Sequence, residues 1–420
     1  MKALPIIRTL RSSTKAELTA DLIAGLTTAV MLVPQAMAYA MLAGLDPIVG
    51  LYASTVPLVL YALIGSSRRL SVGPVAMDSL MVAAGLLPLV RGDAVQYAAS
   101  AAALALMVGA IQLLLGALRA GALVRFLSGP VIIGFTSAAA VIIAGSQLKH
   151  ALGLSLPRSS HIVTMMSDVV RNLGDTHRLT VAIAIASTVT LVVLKMKAPR
   201  FPRFLLVVAA GTVITAIAEL DQFGLAVVGQ IPAGLPPIGI PKVDLSLLPS
   251  LFPVALSISL VSMMEGLSIA KRYDDKTLIP SREFFGIGLA NIGAGLVSGY
   301  PVSGGFSRTA VNVQAGARSP LAGIITASLI TATLLFLTPL FRLLPLAVLA
   351  SIILTAIVGL VDIGGVRNLW KTDQTLLAVA TITFLVTLGL GIPIGMGTGI
   401  ATSLAVNGWR YRKRHHAVPN

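Results

Sequence analysis

The chain has 420 residues, of which 56% are hydrophobic and 11% are charged, whereas soluble domains carry roughly 25% charged residues. It has a net charge of +15 and no cysteine, which excludes disulfide bonds, thiolate metal sites and cysteine nucleophiles. This composition excludes a soluble enzyme and a disordered chain, and it predicts a polytopic membrane protein.

Uncharged stretches long enough to cross a bilayer as helices recur along the whole chain. A hydrocarbon core of roughly 30 Å needs about 20 apolar residues, and shorter stretches serve as partial spans. The uncharged candidates are 22–45, 47–67, 94–118, 126–148, 179–194, 204–218, 245–264, 284–307, 319–341, 343–361 and two spans within 374–409 that turn near Gly389–Gly395. Two further segments count as partial spans: 70–90, which Asp78 interrupts, and 307–317, which is too short to cross alone. The sequence therefore predicts an all-α membrane protein with fourteen transmembrane segments.

Basic residues are distributed unevenly between the two sides of these spans. With the N-terminus inside, 23 of the 31 Lys and Arg residues fall on the cytoplasmic side and seven on the other side. Cytoplasmic loops are enriched in Lys and Arg, so the bias supports an even number of spans and cytoplasmic termini. The net charge is then a signal of topology and not of a nucleic-acid partner. We expect the protein in a cell membrane, specifically a bacterial inner membrane.

The spans divide into two halves on either side of a loop rich in Pro and Gly. Residues 1–20 are predicted as a cytoplasmic N-terminus and 21–218 as a first half with spans 1–7. Residues 219–244 form the extracytoplasmic connecting loop, 245–409 the second half with spans 8–14, and 410–420 a cytoplasmic tail.

Three ionisable residues, Asp78, Glu265 and Arg308, lie well inside apolar segments. A charge at the bilayer centre costs at least about 2.5–3.5 kcal/mol on insertion scales, so such residues usually face a cavity and serve transport. For the two acids, the alternative is a buried ion pair or a hydrogen-bonded carboxyl that only fixes helix packing.

Two segments with Gly and Pro interrupt the helical pattern, at Leu70–Ala76 and at Gly299–Arg308. Irregular backbone at membrane depth is tolerated where it lines a cavity or is buried in protein. Each short helix that follows presents unpaired N–H groups and the positive end of its dipole. Such a pair in two halves is typical of a transporter site, and with Arg308 it favours an anion. Two ordinary Pro-kinked helices are the alternative.

Motifs of enzymes are poorly represented. Gly295-Leu-Val-Ser298-Gly has the wrong spacing for a rhomboid-like protease, and neither G-x-G-D nor G-x-x-x-x-G-K-[ST] occurs. The sequence therefore predicts no enzymatic activity, no ATP-driven transport, no cofactor and no metal.

Several segments resemble the sulfate permease (SulP) family of anion transporters. They are the first span Asp21–Ala40 with Pro34 and Gln35, then Gly50-Leu-Tyr-Ala-Ser, Leu70-Ser-Val-Gly-Pro-Val-Ala and Pro301-Val-Ser-Gly-Gly-Phe-Ser-Arg-Thr-Ala-Val-Asn312. The resemblance covers the whole chain in the right order, and its last segment is the most specific.

The resemblance implies two inverted repeats of seven spans. Spans 1–4 and 8–11 would form a core that moves like an elevator against a gate of spans 5–7 and 12–14, in a homodimer. Family members normally continue into a cytoplasmic STAS domain. The 420 residues stop about ten residues past the last predicted span without one, which leaves a shortened chain and a natural form both open.

The resemblance also implies a substrate site between the N-termini of spans 3 and 10. Its residues are Gln35, Tyr39, Val75, Ala76, Phe306, Ser307 and Arg308. Tyr39 lies on the same helix face as Gln35, although an interhelical hydrogen bond for Gln35 and a packing role for Tyr39 are alternatives. Arg308 cannot lose its charge in practice, so it would act as a fixed counter-ion to the substrate or to Glu265.

Glu265 falls where related transporters place the acid linked to proton or sodium coupling, and a low-dielectric site would favour its protonated form. Sodium is less favoured, because Ser262 and Ser268 are the only nearby hydroxyls on that span. Asp78, where the family more often has an apolar or small residue, is a second coupling candidate. The predicted function is proton-coupled symport of sulfate, bicarbonate or a dicarboxylate; an uncoupled anion channel or an exchanger is the alternative.

Overall fold

The computed structural model describes residues 14–90, 92–118, 129–157, 159, 161–198, 201–274 and 278–415. The first half contains α1 (Lys15–Leu42), α2 (Pro47–Tyr52), α3 (Val56–Ile64), β1 (Val72–Gly73), α4 (Ala76–Leu86), α5 (Ala94–Ala117), α6 (Gly129–Leu152), α7 (Ile162–Arg171), α8 (Arg178–Lys197) and α9 (Arg203–Ile217). The second half contains α10 (Leu248–Asp274), α11 (Pro280–Leu296), β2 (Ser303–Gly304), α12 (Phe306–Gln314), α13 (Leu321–Ala332), α14 (Leu346–Ile357), α15 (Ile363–Thr372), α16 (Gln374–Leu390) and α17 (Ile392–His415).

The helices have the length and composition of membrane spans. Among the described residues, eight helical stretches are long and apolar enough to cross a bilayer, and α4, α9 and α16 are shorter apolar helices. The all-α membrane fold predicted from the sequence is confirmed, while the count of fourteen spans stays a prediction. The predicted turn near Gly389–Gly395 is the break between α16 and α17, where Gly391 has a φ of +94° that glycine adopts without strain.

The interrupted segments of the two halves meet at the centre of the molecule. β1 pairs antiparallel with β2, with Val72 opposite Gly304 and Gly73 opposite Ser303. The short helix α4 begins three residues after β1, and α12 begins two residues after β2. The structure thus has two extended segments that lead into short helices, as the sequence predicts, and not two kinked continuous helices.

The long helices pack in two groups. In the first, α11 packs on α5 and α3, and α1 packs on α13 and α12. In the second, α14 packs on α6 and α8, and α16 packs on α6 and α17. The first group carries both short helices, so these are held within one packed unit that faces the second group across α1 and α14.

Two buried acids, Asp21 and Glu283, each hold a loop of the other half of the chain by hydrogen bonds. Asp21 accepts hydrogen bonds from the N–H groups of Arg318 and Ser319 and from the Ser319 hydroxyl at 2.5–3.0 Å. Glu283 accepts from the Tyr61 hydroxyl and from the Ser66–Ser67 loop at 2.6–2.7 Å. Both carboxyls are fully buried, and these donors supply the hydrogen bonds that buried polar groups require. The sequence did not single them out, because both lie at the margins of apolar stretches.

Candidate anion site

A cavity of about 150 Å³ lies where α4 and α12 begin. The seven residues predicted to contact substrate all line it, namely Gln35, Tyr39, Val75, Ala76, Phe306, Ser307 and Arg308. Glu265 from α10 lines the same cavity. Residues that are up to 273 positions apart in the sequence are thus brought to one small site by the pairing of β1 with β2.

The two short helices direct unpaired backbone N–H groups towards this cavity. In α4 the first intrahelical bond runs from the Ser79 N–H to the Val75 carbonyl, and in α12 it runs from the Thr309 N–H to the Gly305 carbonyl. The first three N–H groups of each helix precede that bond, and neither Val75 nor Gly305 provides a side-chain cap. Uncapped N–H groups and the positive ends of two helix dipoles form a site suited to an anion.

Arg308 joins the two halves beneath the cavity. Its guanidinium is 1% exposed and donates to the Pro74 carbonyl at 2.7 Å and to the carbonyls of Ser71 and Ser303 at 3.4 and 3.5 Å. Within the described part of the chain, its Nε has no hydrogen-bond partner. The guanidinium is therefore held at the cavity wall with its Nε donor unused by any described residue.

The structure changes one expectation about Arg308. The ion pairs among the described residues are Arg69–Asp274 and Arg410–Asp373, so Arg308 is not paired with Glu265. The three carbonyl oxygens that precede α4 and α12 take its terminal nitrogens instead, because the planar guanidinium fits between two extended backbone segments.

Glycine at position 305 leaves room for this arrangement. A Cβ at Gly305 would lie 2.7 Å from Nη2 of Arg308 and 2.8 Å from its Cζ, closer than such atoms can approach. A Cβ at Gly73 would lie 3.3 Å from the same nitrogen. The glycines in the two recurring segments thus admit the guanidinium between the strands.

Gln35 and Tyr39 connect α1 to this site. The Gln35 amide nitrogen lies 3.0 Å from the Tyr39 hydroxyl and 3.4 Å from the Ser307 hydroxyl. The first contact bears out their predicted placement on one helix face, and the second is the interhelical hydrogen bond that was an alternative for Gln35. The Gln35 side chain therefore lines the cavity and also ties α1 to α12.

The two candidate acids lie in different surroundings. Glu265 is partly exposed at the cavity wall and makes no hydrogen bond to a described residue. Asp78, in the first turn of α4, is fully buried and does not line the cavity. Both of its carboxyl oxygens lack a hydrogen-bond partner among the residues that the structure describes.

Phe306 forms the part of the cavity wall that lies beside the end of α10. Phe306 is 51% exposed, and its ring lies 5.1 Å from the guanidinium of Arg272, in the last turn of α10. Ala356 at the end of α14, with Gly359 and Leu360 just after that helix, forms another part of the wall, which the sequence analysis missed. These small and apolar residues carry no signal that distinguishes them from lipid-facing positions.

The sequence profile of the sulfate permease family matches residues 18–383. The chain belongs to the sulfate permease family. It is 42% identical over 396 residues to the probable sulfate transporter 4.2 of Arabidopsis thaliana, across 92% of this chain and 58% of that protein. The chain thus spans about three fifths of the length of the curated relatives it matches.

Two solved structures share the fold of this sulfate permease family member. Murine Solute Carrier 26 family member A9, an anion transporter in the inward-facing state, aligns with a TM-score of 0.91 at 26% identity, over 97% of this chain and 71% of that chain. The transmembrane domain of the cyanobacterium bicarbonate transporter BicA aligns with a TM-score of 0.80 at 24% identity, over 92% and 98%. The named relatives are transporters, and no catalytic activity is indicated.

Proposed function

We propose that the chain is the membrane part of a secondary active transporter that carries a small anion with a proton. The observation that carries this proposal is the meeting of two uncapped helix N-termini and one buried guanidinium at a single cavity. Positive dipole ends and a fixed positive charge attract an anion without binding it in a cage, so it can also leave.

The substrate is a small oxyanion of the sulfate, bicarbonate or dicarboxylate class. Unpaired N–H groups from α4 and α12, the Ser307 hydroxyl and the Gln35 amide supply hydrogen-bond donors around the cavity. A volume of about 150 Å³ suits one such ion with little water. Proteins similar to this chain include a probable sulfate transporter and a bicarbonate transporter, which supports a small oxyanion as the substrate.

Glu265 is the coupling residue, and the coupling ion is a proton. The acid lines the same cavity as Arg308 without forming an ion pair with it, so protonation would remove a charge that repels the anion. Sodium would need several oxygen ligands. The Ser262 hydroxyl accepts a hydrogen bond from Gln112 at 3.2 Å, and Ser268 points away as an exposed residue, so neither hydroxyl completes a sodium site.

Alternating access arises from an elevator movement of the first packed group, with α1–α5 and α10–α13, against the second group, in a homodimer. The cavity lies between α4, α10 and α12 of the first group and the end of α14 of the second group. Sliding one group past the other would carry the whole site across the bilayer. The two groups correspond to the core and gate of the two inverted repeats, and both termini are cytoplasmic.

Reconstitution into liposomes tests the proposal. Purified protein should accumulate labelled sulfate, bicarbonate or a dicarboxylate against its gradient when a pH gradient is imposed. Equilibration without accumulation would identify an uncoupled channel. Uptake that requires a counter-anion inside and ignores the pH gradient would identify an exchanger.

A further inference from the structure

Asp78 is a buried acid that the site does not use directly. Its neighbour Met77 lines the cavity, and the next residue, Ser79, is buried with its hydroxyl 3.2 Å from that of Tyr300. Asp78 itself is 0% exposed, and neither carboxyl oxygen has a partner among the described residues. The side chain therefore lies behind the cavity wall, in the first turn of the helix that faces the anion.

No residue that the structure describes donates a hydrogen bond to this carboxyl or forms an ion pair with it. The helices packed against α4 are α1, α5, α6, α10 and α17. Among the titratable groups on or next to these helices are Tyr39 on α1, Glu265 on α10 and Tyr300 after α11, whose hydroxyl lies 3.2 Å from that of Ser79. The nearby cation, Arg308, gives its terminal nitrogens to carbonyl oxygens. A buried carboxylate without donors is costly, so the neutral acid is the form this environment accepts.

We propose that Asp78 holds a second proton behind the anion site and that tight anion binding requires this proton. An ionised Asp78 would place a negative charge at the N-terminus of α4 and oppose the dipole that attracts the anion. Together with Glu265, which lies within electrostatic range of it, Asp78 makes binding depend on two protonations. This inference rests on the proposed function and deepens it.

Thermodynamic linkage predicts how steeply the apparent anion affinity should depend on pH. Each proton that must be bound before the anion weakens apparent affinity about tenfold per pH unit, at pH values where that group is ionised in the free protein. Equilibrium binding of labelled sulfate to the purified full chain, measured across rising pH, should therefore reach a loss of about a hundredfold per pH unit.

Two neutral substitutions separate the two acids. Asp78→Asn and Glu265→Gln should each reduce the loss to about tenfold per pH unit, and the double variant should bind with no such pH dependence. Ser79→Ala is the matched control, because it alters a buried polar neighbour that does not titrate in this range, and it should keep the steep dependence.

The outcomes distinguish this proposal from the proposed function. A tenfold loss per pH unit in the wild-type protein, or an unchanged hundredfold loss in Asp78→Asn, would show that Asp78 is only a packing residue. The wild-type measurement decides this even if Asp78→Asn does not fold. Absence of sulfate binding at every pH would instead contradict sulfate as the substrate.

Discussion

Arg308 is a charge that an apolar segment can hold only because backbone oxygens surround it. Three carbonyls that precede the short helices accept its terminal N–H groups, and no water-exposed surface remains on the side chain. Removing the side chain would take away a positive charge and remove one hydrogen-bond donor from each of these carbonyls. The contacts that hold Arg308 in place therefore also position the charge that we propose binds the anion.

Replacing Arg308 with Ala should weaken anion transport more than tenfold in apparent affinity, because the helix dipoles alone carry only about half a charge each. Arg308→Lys should restore part of this loss, since it keeps the charge but cannot span the carbonyls on both segments. Uptake by liposomes with matched amounts of inserted protein measures both. Wild-type affinity and rate in Arg308→Ala would make the residue a packing element.

Glu265→Gln should retain anion exchange but lose accumulation driven by a pH gradient. The amide mimics the protonated acid, so anion binding persists, whereas no proton can be loaded or released at this position. Labelled-anion exchange and gradient-driven uptake are measured on the same liposomes. Glu283→Gln changes a buried acid that does not line the cavity, so it is the control and should retain proton-driven accumulation. Continued accumulation by Glu265→Gln would assign coupling elsewhere.

At the scale of elements, the short ladder of β1 and β2 sets the position of both helix N-termini. The two strands contribute two residue pairs, and the Gly305 N–H adds a bond to the Ser71 carbonyl at 3.0 Å. Asn291 of α11 holds the segment before β2, with its side chain bonded to the N–H and carbonyl of Val302 at 2.8 and 2.9 Å. The site thus depends on backbone spacing that side chains from other helices maintain.

Gly305→Ala should reduce anion affinity, because the added Cβ would lie 2.7 Å from the Arg308 guanidinium and must displace it. Gly323→Ala on α13 is the matched control, since a Cβ there meets nothing within 4 Å. In a helix this change is favourable by up to about 1 kcal/mol. Binding and thermal unfolding of both variants are compared. Equal affinity in Gly305→Ala and the wild type would show that Arg308 has other room.

At the scale of the whole molecule, the two packed groups enclose another, smaller cavity between α4 and α6. This cavity of about 70 Å³ is lined by Ala84 of α4 and by Ser146 of α6. One residue belongs to the group that carries the site and the other belongs to the opposing group. An elevator movement must separate or shift these two positions.

A cysteine pair at Ala84 and Ser146 should stop transport when it is bridged by a short bis-methanethiosulfonate, which forms a reducible disulfide with each thiol. The natural chain has no cysteine, so the background is clean. A pair at Ala184 and Ser351, where the serine hydroxyl donates to the Ala184 carbonyl at 3.0 Å within the second group, should cross-link without loss. Reduction should restore uptake. Full transport by the bridged Ala84–Ser146 pair would contradict movement between the groups.

The sequence by itself determined the class of the molecule and most of the site. Long uncharged stretches predict membrane helices, and the clustered Gly and Pro residues of Leu70–Ala76 and Gly299–Arg308 predict interruptions of the helical pattern. These local signals, with the family resemblance, were enough to select the seven residues that now share one cavity. They depend on composition and on backbone chemistry, which are readable without knowing which helices touch.

Only the tertiary structure decided which residues contact one another. The carbonyl clamp on Arg308, the unpartnered carboxyl of Asp78 and the wall from the end of α14 all depend on residues that lie far apart in the sequence. The hydrogen bonds of Asp21 and Glu283 could likewise not be predicted, because their donors lie in loops that are distant in the sequence. A side chain's charge can be read from its residue type, but the donors and acceptors that compensate this charge are set by long-range packing.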